Sequence, residues 1–178
     1  MSSEVKRYHP ALITLHWLLA VAILGMYVFG SFVLDDMHNT APDKPTLLSL
    51  HLIVGIAILA LTVVRLIVRV RMPRPDPVPG SRGAQKVATA LQHTTYTLTV
   101  LIVVSGLVLA FSANLFSILF GHVGTLPKDF EDFTSHDIHG WLVNGLLAVV
   151  ALHVAAALQH QFILKDNILS RMSLRSRD

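Results

Sequence analysis

Four long apolar runs constrain this chain more than anything else in it. They fall at about residues 11–34, 47–70, 88–112 and 138–163. A membrane helix needs about 20 mostly apolar residues to cross a ~30 Å hydrocarbon core. Within lipid every backbone N–H and C=O must be satisfied by the protein itself, and a run of this length does so as a helix. The expectation is an all-α integral membrane four-helix bundle, a single domain over residues 1–178. The second run is uncharged only over 47–64, and Arg65 and Arg69 are expected to snorkel to the surface. The third is the most polar, with Gln92, His93, Thr94, Thr95 and Thr97 near its start. That points one of its faces toward protein or ligand rather than lipid.

Composition agrees. Hydrophobic residues make up 53% and charged residues 14%, against roughly 25% charged in ordinary soluble domains. Mean hydropathy is +0.60. The first run far exceeds the ~7–15-residue apolar core of a signal peptide and no small-x-small cleavage site follows, so it is expected to be retained. There is no cysteine, which excludes a disulfide scaffold, cysteine-ligated iron–sulfur clusters and covalent c-type haem attachment. No internal repeat, soluble domain or glycine-rich phosphate loop is present, and the connections are too short for a nucleotide-binding fold.

Charge sets the expected orientation. Lys6 and Arg7 precede the first run. Arg65, Arg69, Arg71, Arg74, Arg82 and Lys86 surround the second connection, and Lys165, Arg171, Arg175 and Arg177 follow the fourth run. These are twelve of the fourteen basic residues. The other two connections hold only Lys44 and Lys128, among Asp35, Asp36, Asp43, Asp129, Glu131, Asp132 and Asp137. The positive-inside rule then puts both termini and the stretch MPRPDPVPGSRG in the cytoplasm. The basic tail reads as a topology signal and a contact for anionic lipid, not for nucleic acid.

With orientation assigned, each membrane histidine has a height. His16 lies about 7 Å into the first helix from the cytoplasm, and His153 about 22 Å down a helix entering from the far side, so the two heights match. His51 and His139 both lie near the outer ends of their helices. His139 and His153 are fourteen residues apart, which puts both rings on one face roughly 21 Å apart. A titratable group at membrane depth is costly and is usually retained for a purpose. One imidazole on each of two facing helices, at two levels, suits two b-type haems held by His16 with His153 (inner) and His51 with His139 (outer), bound through iron. A structural zinc site would need four ligands around one point, which no level supplies. Gly30, Gly55, Gly140, Gly145 and residues 155–157 offer room for a porphyrin, though small residues also serve ordinary helix packing. His93, close to the inner height, is an alternative inner ligand, or a propionate or quinone contact. His160 is a candidate quinone contact at the cytoplasmic interface, and His136 a weaker outer-ligand candidate. His9, His38 and His122 are expected at the surface, and Trp17 and Trp141 in the interfacial aromatic belts.

The segments LITLHWLLA, LLSLHLIVGIAILALTVVRLIVRV, LQHTTYTLTVLIVVSGLVL and DIHGWLVNGLLAVVALHVAAALQHQFILKDNILSRM resemble the prokaryotic cytochrome b561 family over nearly the whole chain. The resemblance implies a four-helix inner-membrane protein with two b haems, ligated by His16, His51, His139 and His153. It also implies superoxide oxidase-like activity, with electrons passing from superoxide at the periplasmic side to ubiquinone. Membrane cytochrome b subunits that link a dehydrogenase or hydrogenase to the quinone pool share the plan and form the alternative. A haem-free metal or proton transporter is disfavoured by the lack of acids within the membrane runs.

Overall fold

In a computed structural model, residues 7–73, 75 and 82–174 are described, and their regular structure is all helical, with no strand among them. Helix α1 (Pro10–Phe29) runs on into a π-helical turn (Gly30–Leu34). Helix α2 spans Lys44–Arg71, α3 spans Arg82–Ser112, and a short α4 spans Leu115–Leu119. Helix α5 (Thr134–Leu158) continues into a second π-helical turn (Gln159–Leu164), followed by a 3-10 turn (Ile168–Met172). Four segments have the length and hydropathy to cross a membrane: Pro10–Leu34, Lys44–Arg71, Gln85–Ser112 and Thr134–Leu164. Lys6, Arg74, Arg175, Arg177 and positions 76–81 of the proline-rich stretch lie outside the described residues.

Local chemistry places the helix ends. His9 Nδ1 accepts from the Ala11 N–H at 3.2 Å, capping α1, while Pro10 occupies a position where its missing donor costs nothing. Pro45 plays the same part at the start of α2, and Arg69 and Arg71 sit at its negative end. Asn114 breaks α3 from α4 in the left-handed region (φ 52°). Lys165 and Asn167, also left-handed (φ 55° and 56°), end the last long segment.

The helices pack as two pairs, α1 on α2 and α3 on α5, with a lighter contact between α2 and α3. The outer surface is apolar, including Val21, Val70, Phe111 and Trp141, as a lipid-facing surface should be. At one end, the terminal end, Tyr8 N–H donates to the Arg171 carbonyl (3.3 Å), the Arg7 guanidinium donates to the Ser173 carbonyl, and Trp17 Nε1 donates to the Met172 carbonyl (2.9 Å). The first and last described segments therefore lie together. Trp17, expected in an aromatic belt, also ties the C-terminal turn to α1. At the distal end, Ala110, Ala113, Leu115 and Leu119 form a buried cluster that docks α4 under the loops. There Asn39 donates to the Pro127 carbonyl (3.0 Å), and the buried Lys44 ammonium donates to the carbonyls of Leu34 and Met37.

Candidate functional site

Two imidazole pairs face each other across the seam between the α1–α2 layer and α5. At the distal level, His51 of α2 faces His139 of α5, with ring centroids 6.2 Å apart and planes at 66°. At the terminal level, His16 of α1 faces His153 of α5, with centroids 6.2 Å apart and planes at 71°. Two imidazoles on opposite sides of one metal ion, each bonded at ~2.0–2.1 Å, have centroids roughly 6.3 Å apart. The observed separation would suit a metal centre held between the two rings at either level. Among the described residues no group of three or more His, Asp or Glu side chains is placed to hold a bare ion. Each level offers two imidazoles that would hold a haem between them, and the haem would supply one-electron chemistry there.

The distal level is built in most detail. His139 Nδ1 lies 3.0 Å from the Ile102 carbonyl and 3.0 Å from Ser105 Oγ, which itself donates to that carbonyl at 2.8 Å. A carbonyl only accepts, so Nδ1 carries the hydrogen and Nε2 keeps its lone pair for a metal. His51 stacks on Phe29 (6.3 Å, 24°), and its buried Nδ1 has no partner among the described residues. A Cβ on Gly30 would come within 3.4 Å of His51 Cε1, and one on Gly106 within 3.2 Å of His139 Cε1. These two glycines therefore let a ring lie directly against a helix backbone. Gly55, Gly140 and Gly145 have open space where a Cβ would stand. A cavity of about 570 Å³ is lined by both rings, Gly30, Gly55 and Gly106, within the ~300–1,000 Å³ usual for ligand and cofactor sites. It extends to a mouth edged by the exposed Asp35, Asp36, Lys128, Asp129 and Glu131, with the buried Lys44 in its lining.

The terminal level is more open, with His16 half-buried and His153 exposed on the bundle flank. Arg65 does not snorkel to the surface. Its Nη1 donates to the Tyr96 hydroxyl at 2.5 Å and its Nη2 lies 3.4 Å from His16 Nδ1. Arg69 donates to Gln92 Oε1 at 2.7 Å, and both guanidinium groups lie over the Tyr96 ring (5.3 and 5.9 Å). They turn inward because α3 presents acceptors at their height. The inward stripe of α3 runs through Gln92, Tyr96, Thr99, Val103 and Gly106, at the three- and four-residue spacing of one helix face.

The other histidines take separate places. His93, one residue past Gln92 and so about 100° further round the helix, is exposed beside Arg82, Lys86 and Thr89 and is not brought to the His16–His153 pair. His160 Nδ1 meets Asp166 Oδ2 at 2.5 Å. His136 stacks on Phe130 (6.4 Å, 21°) and lines the distal cavity, with its Nδ1 3.8 Å from Asp137. His9, His38 and His122 are exposed. Ser105 and Gly106 are site residues that sequence reasoning passed over, and Arg65, expected at the surface, is a third that it misplaced. Their signal was the VVR and VSG segments lying on faces turned toward the histidines.

A four-span membrane bundle that sets imidazoles opposite one another at two levels has the features of a membrane-embedded b-type cytochrome. The chain belongs to the prokaryotic cytochrome b561 family, whose model matches residues 7–173. It is 28% identical over 178 residues to "Cytochrome b561 homolog 2" of Escherichia coli (strain K12), covering 94% of this chain and 91% of the relative. It is 30% identical over 182 residues to "Probable superoxide oxidase CybB" of Yersinia pestis, covering 97% and 98%. "Cytochrome b562" of Cereibacter sphaeroides is 29% identical over 163 residues, covering 90% of each chain. Membership makes this a bacterial membrane protein of electron transfer with b-type haem as the family cofactor.

Proposed function

We propose that this chain is a dihaem cytochrome of the inner membrane that passes electrons from superoxide at its distal, periplasmic face to ubiquinone at its terminal, cytoplasmic end. The observation that carries the reading is the pair of equal 6.2 Å imidazole separations, one at each level of the same seam. His51 and His139 hold the outer haem, and His16 and His153 the inner one. Bound b haem supplies reversible one-electron storage, and the protein supplies orientation and electrostatics. Ile102 and Ser105 fix the His139 tautomer, and Gly30 and Gly106 let the two outer rings seat against their helices. The orientation rests on Arg7, Arg65, Arg69, Arg71, Arg82, Lys86, Lys165 and Arg171 gathering toward the terminal end, with only Lys44 and Lys128 among the described basic residues at the other.

The overall balance is two superoxide ions, one ubiquinone and two protons giving two dioxygen and one ubiquinol. The protons enter at the end where quinone is reduced. His160 lies seven residues beyond His153, so about two turns nearer the cytoplasmic surface. Asp166 braces its ring and in turn accepts from the Ile168 N–H at 3.3 Å. That dyad, rather than the outward-facing His93, is positioned to hold a proton for a quinone oxygen.

One observation favours a second reading, a cytochrome subunit serving a partner dehydrogenase or hydrogenase. The distal mouth carries Asp35, Asp36, Asp129 and Glu131 against Lys128, while the buried Lys44 ammonium in the cavity lining is already bound to two carbonyls. Such a mouth does little to steer an anion. A pulse of superoxide on the purified protein with ubiquinone decides between the two. Rapid haem reduction followed by quinol is expected, and haem left oxidised would transfer the assignment to the partner-linked reading. In parallel, His16→Ala is expected to lose one haem and His93→Ala none. Loss with His93→Ala alone would reverse the inner pairing.

A further inference from the structure

Arg65 brings a full positive charge beside the terminal histidine pair. Its Nη1 is clamped by the Tyr96 hydroxyl at 2.5 Å, its Nη2 lies 3.4 Å from His16 Nδ1, and its buried Nε has no partner among the described residues. Among the described residues no carboxylate lies within ion-pair distance of it. Arg69 adds a second cation on the same aromatic ring. The distal pair meets the opposite environment. Its neighbours are the Ile102 carbonyl, the Ser105 hydroxyl and the Phe29 ring, and its cavity opens onto Asp35, Asp36, Asp129 and Glu131, which outnumber Lys128 and the carbonyl-bound Lys44 there. A fixed charge acts far more strongly where water is excluded than at a surface.

We infer that Arg65, held in place by Tyr96, is a positioning residue that sets the direction of electron flow by favouring the electron-bearing state at the His16–His153 level over the His51–His139 level. Gaining one electron lowers the charge of a redox centre by one unit, so a nearby guanidinium stabilises the reduced state, and carboxylates near the other centre oppose it. Arg65 exchanges neither proton nor electron. It makes the terminal centre the more oxidising of the two, and electrons entering at the distal end settle beside it. The inference rests on the reading that each imidazole pair holds a haem.

Redox potentiometry on the purified protein, followed in the visible haem bands, tests it. The wild type should give two one-electron waves, and the wave abolished by His16→Ala is the terminal one. Arg65→Gln should lower the reduced-to-oxidised ratio of that wave by about tenfold at fixed ambient potential, ~59 mV for a one-electron couple. The other wave should stay within about twofold. Arg65→Lys, which keeps the charge, should recover most of the shift. Tyr96→Phe, which frees the guanidinium without removing it, should move the same wave down by less than Arg65→Gln does. Both waves unmoved in Arg65→Gln, or equal shifts in Arg65→Gln and Arg65→Lys, would overturn the inference. Should Arg65→Gln purify without its terminal haem, Tyr96→Phe decides, and an unmoved terminal wave there overturns it. A wild type with no b-type absorbance removes the haem reading and this inference with it. Two waves indifferent to Arg65 remove this inference alone.

Discussion

Gly106 gives the sharpest handle on the distal pair, because a Cβ there would stand 3.2 Å from His139 Cε1 and 3.4 Å from its Nδ1. Gly106→Val should push the ring off its axis and remove the outer haem while sparing the inner one, halving the haem measured per chain. Ser105→Ala is milder. It removes one contact of His139 Nδ1 but leaves the bond to the Ile102 carbonyl, so haem affinity should fall by less than the ~10–100-fold typical of losing an outer-shell partner. A haem-binding isotherm checks both. At this scale the matching levels of His16 with His153 and of His51 with His139 were legible, because helix rise is constant and successive spans run in opposite directions. Azimuth was not. His93 shares the height of the terminal pair but sits one residue off the inward stripe of α3, and a single helix read alone does not say which of its faces meets a neighbour. Arg65 was misjudged for the same reason, since its acceptor, Tyr96, lies on another helix.

At the scale of elements, the four spans were legible from run length, and their ends less so. Helix α2 begins at Lys44 rather than near 47, and α3 at Arg82 rather than near 88, because Pro45 suits a first turn and the polar start of α3 needs no lipid to be helical. The π-helical turns at Gly30–Leu34 and Gln159–Leu164 left no apolar signature to read. One places Gly30 against His51 and the other carries His160 toward Asp166, in keeping with the frequent use of π turns near functional sites. The distal loop is held by Lys44, 4% exposed, whose ammonium satisfies the Leu34 and Met37 carbonyls. Lys44→Met should therefore destabilise that end by about 1–3 kcal/mol, read as a lower midpoint of thermal haem release. At the other end, Trp17→Phe removes the donor to Met172. Faster amide exchange over residues 165–174, with the distal cavity unaffected, is the expected outcome.

For the whole molecule, two helix pairs meet across one seam, and the seam carries histidines at both levels. That division explains why α5 contributes two of the four rings while α3 contributes none. Helix α3 instead packs on α5 and supplies the groups that orient or neighbour the rings, namely Ile102, Ser105 and Gly106 at one level and Tyr96 at the other. Orientation in the membrane has a direct test, made simple by the absence of cysteine. Thr125 and Ser170 are exposed at opposite ends. An impermeant thiol reagent applied to intact spheroplasts should label Thr125→Cys, and should reach Ser170→Cys only after lysis. The reverse pattern would place the termini outside and move quinone reduction to the other face.

The central claim is that two imidazole pairs on one seam hold two b haems per chain. It is tested most directly by the reduced-minus-oxidised absorption spectrum of the purified protein together with its haem-to-protein ratio. The account predicts b-type bands and two haems per chain, falling to one when either His16 or His51 is replaced by alanine. A ratio of one in the wild type, or no b-type band at all, would contradict it.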